Sequence, residues 1–315
     1  MLRAMPAHRS SRWPLLLLLS AACSSAPPPV AKGPDPVPED AAHWEVGEAS
    51  SVHLPHVVKP LSYKLELAVD PRLPTFSGVT TISIEVREAT DRVVLHGRDL
   101  AVESAELRRE GETIKAGVHM RKAVGAVRDE EEMVLHLEQP AAPGRYELEI
   151  AYEAPFGTLL GLYRVDQAGE SYAFTQLEST YARRMFPSFD EPRHKVPFEV
   201  ELIVPTELAA FANTKEVRAE PEDGGKNTRH VFAKTEPLPT YLVAIAVGKL
   251  ERVQGAAKPT SIGLVATPQA KADGAAALEA AQASLVELEK YFGQPYPYDK
   301  LDVVVFAAPQ LSLFE

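Results

Sequence analysis

Gln176 and Glu178 stand two positions apart in Thr175-Gln176-Leu177-Glu178. On a β-strand that spacing puts both polar side chains on one face, while Thr175 and Leu177 point the other way. An amide and a carboxylate together can line one wall of a pocket. A carboxylate there suits an ammonium group, because charge-assisted hydrogen bonds are short and directional. It equally suits a surface ion pair with Arg183 or Arg184, the ordinary state of a solvated strand residue. The residue types alone leave both readings open. Downstream, Arg183, Arg184, Asp190 and Glu191 bracket Phe186-Pro187 and Phe189. This mixed cluster predicts a loop fixed by ion pairs, and Pro187 and Pro192 restrict its backbone.

Other chemistries find less support. His53-Leu54-Pro55-His56 has a His-x-x-His spacing, but a catalytic zinc needs three protein ligands and an open position. Pro55 moreover excludes a regular helix interior. The sequence contains no G-x-S-x-G, no P-loop and no G-x-G-x-x-G, and it holds one cysteine. The metal site residues expected of this chain are therefore none, and so are the catalytic ones.

The whole segment from Thr175 to Pro192, Thr-Gln-Leu-Glu-Ser-Thr-Tyr-Ala-Arg-Arg-Met-Phe-Pro-Ser-Phe-Asp-Glu-Pro, resembles the signature of the aminopeptidase N family of zinc exopeptidases. The resemblance implies that Gln176 and Glu178 face an active site, where the Glu178 carboxylate grips the free α-amine of a peptide. Shorter matches follow in the family's order: Leu54-Pro55, Tyr63-Lys64-Leu65, Val69-Asp70-Pro71, Phe76-Ser77-Gly78, Leu95-His96-Gly97, and Tyr241-Leu242-Val243-Ala244 through Gly248. They imply the family's saddle-shaped antiparallel β N-terminal domain. Tyr291-Phe292-Gly293 and Lys300-Leu301-Asp302 resemble the first helix end and first strand of its thermolysin-like α/β catalytic domain, here truncated. The family's zinc motif H-E-x-x-H is not among these 315 residues. After the Lys-Leu-Asp strand the family carries Gly-x-Met-Glu-Asn, a second grip on the substrate. Glu315 falls near that glutamate, without the glycine, methionine and asparagine. Zinc is thus implied for the complete family enzyme and expected to be bound by none of the residues here.

Arg3, Arg9 and Arg12 precede the apolar run Trp13 to Leu19 and then Ser20-Ala21-Ala22-Cys23. A basic start, a short apolar region and small residues before a cysteine predict a bacterial lipoprotein signal peptide over residues 1–22, with Cys23 the lipidated first residue of the mature chain. The apolar run is too short to span a bilayer as a stable helix. The prediction is an exported protein, lipid-anchored to the bacterial cell envelope at the outer membrane or the periplasmic face, with the membrane as one partner. Residues 23–50 hold a Pro-rich stretch poor in large apolar groups and read as a tether.

From Leu54 onward apolar residues alternate, as in Tyr63, Leu65, Leu67 and Val69, or Tyr146, Leu148, Ile150 and Tyr152. Period two marks half-buried strands, and many short strands without long helices predict an antiparallel, mainly β domain over residues 51–255. Residues 256–315 change character. Leu278, Ala281, Leu285, Leu288 and Phe292 make one apolar stripe on a helix that Gly293 stops, and a strand follows from Leu301 to Phe306.

The chain carries 33 Lys and Arg against 44 Asp and Glu, a formal charge of −11, and −14 once the three Arg of residues 1–22 are removed. That balance argues against a nucleic-acid partner and fits peptide N-termini. The resulting expectation is the N-terminal portion of a zinc-dependent aminopeptidase, inactive without its missing catalytic domain. The rival expectation is a surface-anchored, non-catalytic peptide-binding or scaffold module, for which an uncovered apolar helix would be a liability.

Overall fold

Wherever the alternation is strongest, the chain forms strand. The computed structural model describes residues 53–121, 131–255, 260–272 and 274–306. Along these run β1 (Val58–Ala68), β2 (Thr75–Val86), β3 (Thr90–His96), β4 (Ala101–Arg109), β5 (Glu112–Met120), β6 (Glu132–Ala141), β7 (Gly144–Pro155), β8 (Gly161–Gln167) and β9 (Glu170–Gln176). After a loop come β10 (Phe198–Pro205), β11 (Ala209–Ala212), β12 (Glu216–Glu222), β13 (Asn227–Phe232), β14 (Ile245–Gly248), β15 (Glu251–Gln254), β16 (Ser261–Ala266), the helix α1 (Gly274–Phe292) and β17 (Lys300–Val305). The protein is mainly β, as expected.

The strands form three sheets. Ten order as β12-β13-β10-β1-β2-β7-β4-β5-β6-β3, four as β11-β14-β9-β8, and three as β15-β16-β17. Leu65, Leu67, Ile82, Ile84, Leu148 and Ile150 are fully buried on one face of the large sheet, each contributing about 1.5–3 kcal/mol relative to exposure. The opposite face carries charged ladders such as Lys64, Glu66, Glu201 and Arg229. Tyr63 stacks on Phe198 with ring centroids 4.7 Å apart.

Two pairings depart from an antiparallel domain. β1 runs parallel to β10, from Tyr63 opposite Phe198 to Ala68 opposite Ile203, and β16 runs parallel to β17. Alternation fixes which face of a strand is buried and says nothing about the direction of its neighbour. The three-stranded sheet also straddles residue 255, because β15 pairs with β16. The helix forms as its pattern predicts and ends at Gly293, whose φ of +66° suits glycine. Its stripe is only partly covered: Leu285 is buried, whereas Leu288 and Phe292 are exposed.

Candidate functional site

β9 lies between β8 and β14, tied to the latter by Thr175, whose hydroxyl accepts from Ile245 N at 3.0 Å. Gln176 ends the strand, half-buried and opposite Gly161 of β8. The strand expected to carry both polar residues stops there. Leu177 drops into the core, and residues 178–180 form an exposed turn closed by Tyr181 N donating to Leu177 O at 2.9 Å. Glu178 therefore projects from a turn at the end of β9 and does not share a strand face with Gln176. The chain leaves the strand where the backbone closes this turn instead of extending the ladder to β8. A short 3-10 helix, Ala182–Arg184, follows.

The alternative ion pair for Glu178 is not formed. Arg183 Nε donates to Asp190 Oδ2 at 2.9 Å and its Nη1 to Glu131 Oε2 at 2.5 Å, while Arg184 lies 3.4 Å from Asp99. Among the described residues no hydrogen bond or ion pair engages the Glu178 carboxylate, and it is exposed to solvent. It sits on the turn just past the end of β9.

The loop beyond the turn is held by the charge cluster, which is structural as predicted. Asp190, with its side chain 1% exposed, also accepts from Thr240 Oγ1 at 2.5 Å. Burial opposes ionisation of Glu131, but hydrogen bonds from Arg98 and Arg183 hold its carboxyl below the usual range. Glu191 accepts from Leu54 N at 3.2 Å, His53 Nδ1 at 2.9 Å and Arg193 at 2.6 Å. Burial would raise its pKa, and these donors lower it. Tyr63 Oη accepts from Phe189 N at 2.9 Å. The loop is thereby bonded into the large sheet.

His53 reaches Glu191 rather than joining His56, which is exposed. Among the described residues no three His, Cys, Asp or Glu side chains gather as a metal site. His53 and His56 supply at most two nitrogens, short of the three protein ligands of a catalytic zinc site. Cys23 and Glu315 lie outside the described residues. Sequence reasoning missed Glu131, His96 and Thr240, which complete the brace from distant strands and loops. The only trace was His96 inside the short match Leu95-His96-Gly97.

Residues 59–242 match the family model for the peptidase M1 N-terminal domain. The chain belongs to the M1 peptidase family. It is 32% identical over 257 residues to aminopeptidase N of Acetobacter pasteurianus, covering 80% of this chain and 70% of that protein. Identity to the puromycin-sensitive aminopeptidase of Caenorhabditis elegans is 29%, covering 82% of this chain and 28% of the relative. For aminopeptidase M1-C of Oryza sativa subsp. japonica it is 33%, covering 86% and 30%. The M1 chain described here thus spans under a third of the length of the worm and rice relatives. In this chain the matched residues 59–242 include the β9 turn, most of the brace and most of the large sheet.

Proposed function

We propose that this chain is the N-terminal, substrate-end portion of an exported aminopeptidase. In this reading the Glu178 carboxylate receives the α-ammonium of a peptide and Gln176 hydrogen-bonds beside it. The observation that carries it is an exposed carboxylate with no partner among the described residues, on a turn between β9 and the braced loop, in a chain whose relatives are aminopeptidases. A salt-bridged Glu178 would have to break a contact to bind an amine; among the described residues this one has none to break. Such an anchor counts residues from the peptide end and does not read a side chain. Hydrolysis itself would need zinc held by a following catalytic domain, of which residues 256–315 form the start, with Glu315 a second contact to the amine. Residues 1–22 direct export, Cys23 carries lipid, and residues 23–50 hold the domain off the membrane.

The test joins this chain in frame to the zinc-bearing part of an M1 relative and compares Glu178 with Glu178→Gln, which keeps shape and loses charge. A hydrogen bond to a charged group contributes about 1.5–3 kcal/mol, so kcat/KM for free-amine peptides falls roughly 10- to 100-fold. N-acetylated peptides remain poor substrates for both forms. An unchanged kcat/KM would refute the assignment of Glu178. In the same assay the 315-residue chain alone releases no anilide from a leucyl substrate.

A further inference from the structure

We propose that His96 is an acid-sensitive latch that holds the loop from Arg183 to Glu191 against the end of β3 and lets it go when the imidazole takes up a proton. Among the described residues, four hydrogen bonds from His96, Arg98, Ser188 and Asp190 join the two segments. His96 N donates to Ser188 O at 2.7 Å, Ser188 N returns to His96 O at 3.0 Å, and Arg98 N donates to Arg183 O at 2.8 Å. The fourth is different in kind: Asp190 N donates to His96 Nδ1 at 3.2 Å. That bond requires a lone pair on Nδ1. A neutral imidazole has one acceptor nitrogen and the imidazolium has none, so protonation sets two donors against each other and removes the bond.

Among the described residues the carboxylates that face the ring are already engaged elsewhere. The residue is 8% exposed. The Arg183 guanidinium faces it from the short helix, and His194 faces it from beyond the loop; both oppose a second cation. Glu131 and Glu191 favour one, yet Glu131 is already held by Arg98 and Arg183 and Glu191 by His53, Arg193 and His194. The Asp190 carboxylate is taken by Arg183 and Thr240. Burial first, and the Arg183 charge second, push the His96 pKa down to about 3 from 6.5. A depressed histidine pKa means that the latched form binds fewer protons than the open form between those two values. Latching is at full strength above pH 6.5 and weakens as pH falls, by about tenfold in the opening equilibrium per pH unit.

Hydrogen exchange of the intact chain, corrected for the intrinsic pH dependence of exchange, reads this directly and does not depend on any role of Glu178. Between pH 6.5 and 4.5 the amides of Arg98, Ser188 and Asp190 lose about 50-fold of protection, while amides of β1, β2 and β7 lose less. His96→Asn offers an acceptor that cannot be protonated, so the pH slope disappears. Flat protection in the wild type, or a slope that survives in His96→Asn, overturns the proposal. Should that variant not fold, His194→Gln replaces it: the slope must persist there, and its loss would assign the effect to His194 instead.

Discussion

At the scale of single residues, the brace and the free carboxylate divide the labour. Arg183 spans Asp190 and Glu131 with its side chain 9% exposed, and removing one partner of a buried pair leaves uncompensated charge at a cost of about 3–5 kcal/mol. Arg183→Met is therefore expected to lower the urea midpoint strongly. Arg184→Met, whose partner Asp99 is 53% exposed, stays within about 1 kcal/mol of the parent. Equal losses in the two variants would show that the brace is not built on Arg183. The structural role of Arg183, Asp190 and Glu191 was legible in the sequence because opposite charges cluster around prolines and aromatics. Glu131 and Thr240 were not, since contacts between residues some 50 positions apart leave no local pattern. The position of Glu178 was misread by one feature: polar–apolar alternation continues through Leu177, but the strand ends at Gln176.

At the scale of elements, the strands were legible and their partners were not. Period-two spacing located strands such as β1 and β7, and three- and four-residue spacing located α1. What the pattern omits is direction and docking, hence the two parallel pairs and the half-covered helix. The small sheet depends on close packing at Gly263. A Cβ there would collide with the Asp302 carboxylate and the Arg252 guanidinium, which form a hydrogen bond of 2.8 Å across β15 and β17. Gly263→Ala is expected to destabilise by about 1–3 kcal/mol through overpacking. Gly117→Ala on β5, where a Cβ meets open space, changes stability by no more than about 0.5 kcal/mol. Thermal unfolding of both variants compares them. A neutral Gly263→Ala would mean that the ion pair shifts aside without loss.

At the scale of the whole molecule, the family was legible from motif order, and the proposed membrane link rests on one residue. If Cys23 carries lipid, Cys23→Ser moves the protein from the detergent phase to the aqueous phase on phase separation; partitioning that ignores the substitution would remove the anchor. The parallel register of β1 on β10 has a consequence for how the chain comes to be folded. β1 lies inside the ten-stranded sheet, yet one of its two neighbours is encoded from Phe198 onward. A chain that emerges from its N-terminus makes the β1–β2 hairpin early and then waits more than a hundred residues for the other flank. During that interval β1 presents an open edge bearing a row of large apolar side chains, the kind of template on which chains aggregate. Closing it is a long-range event, slow by the entropy of the loop it must close. Until Phe198 is delivered, the centre of the finished sheet is its most vulnerable border.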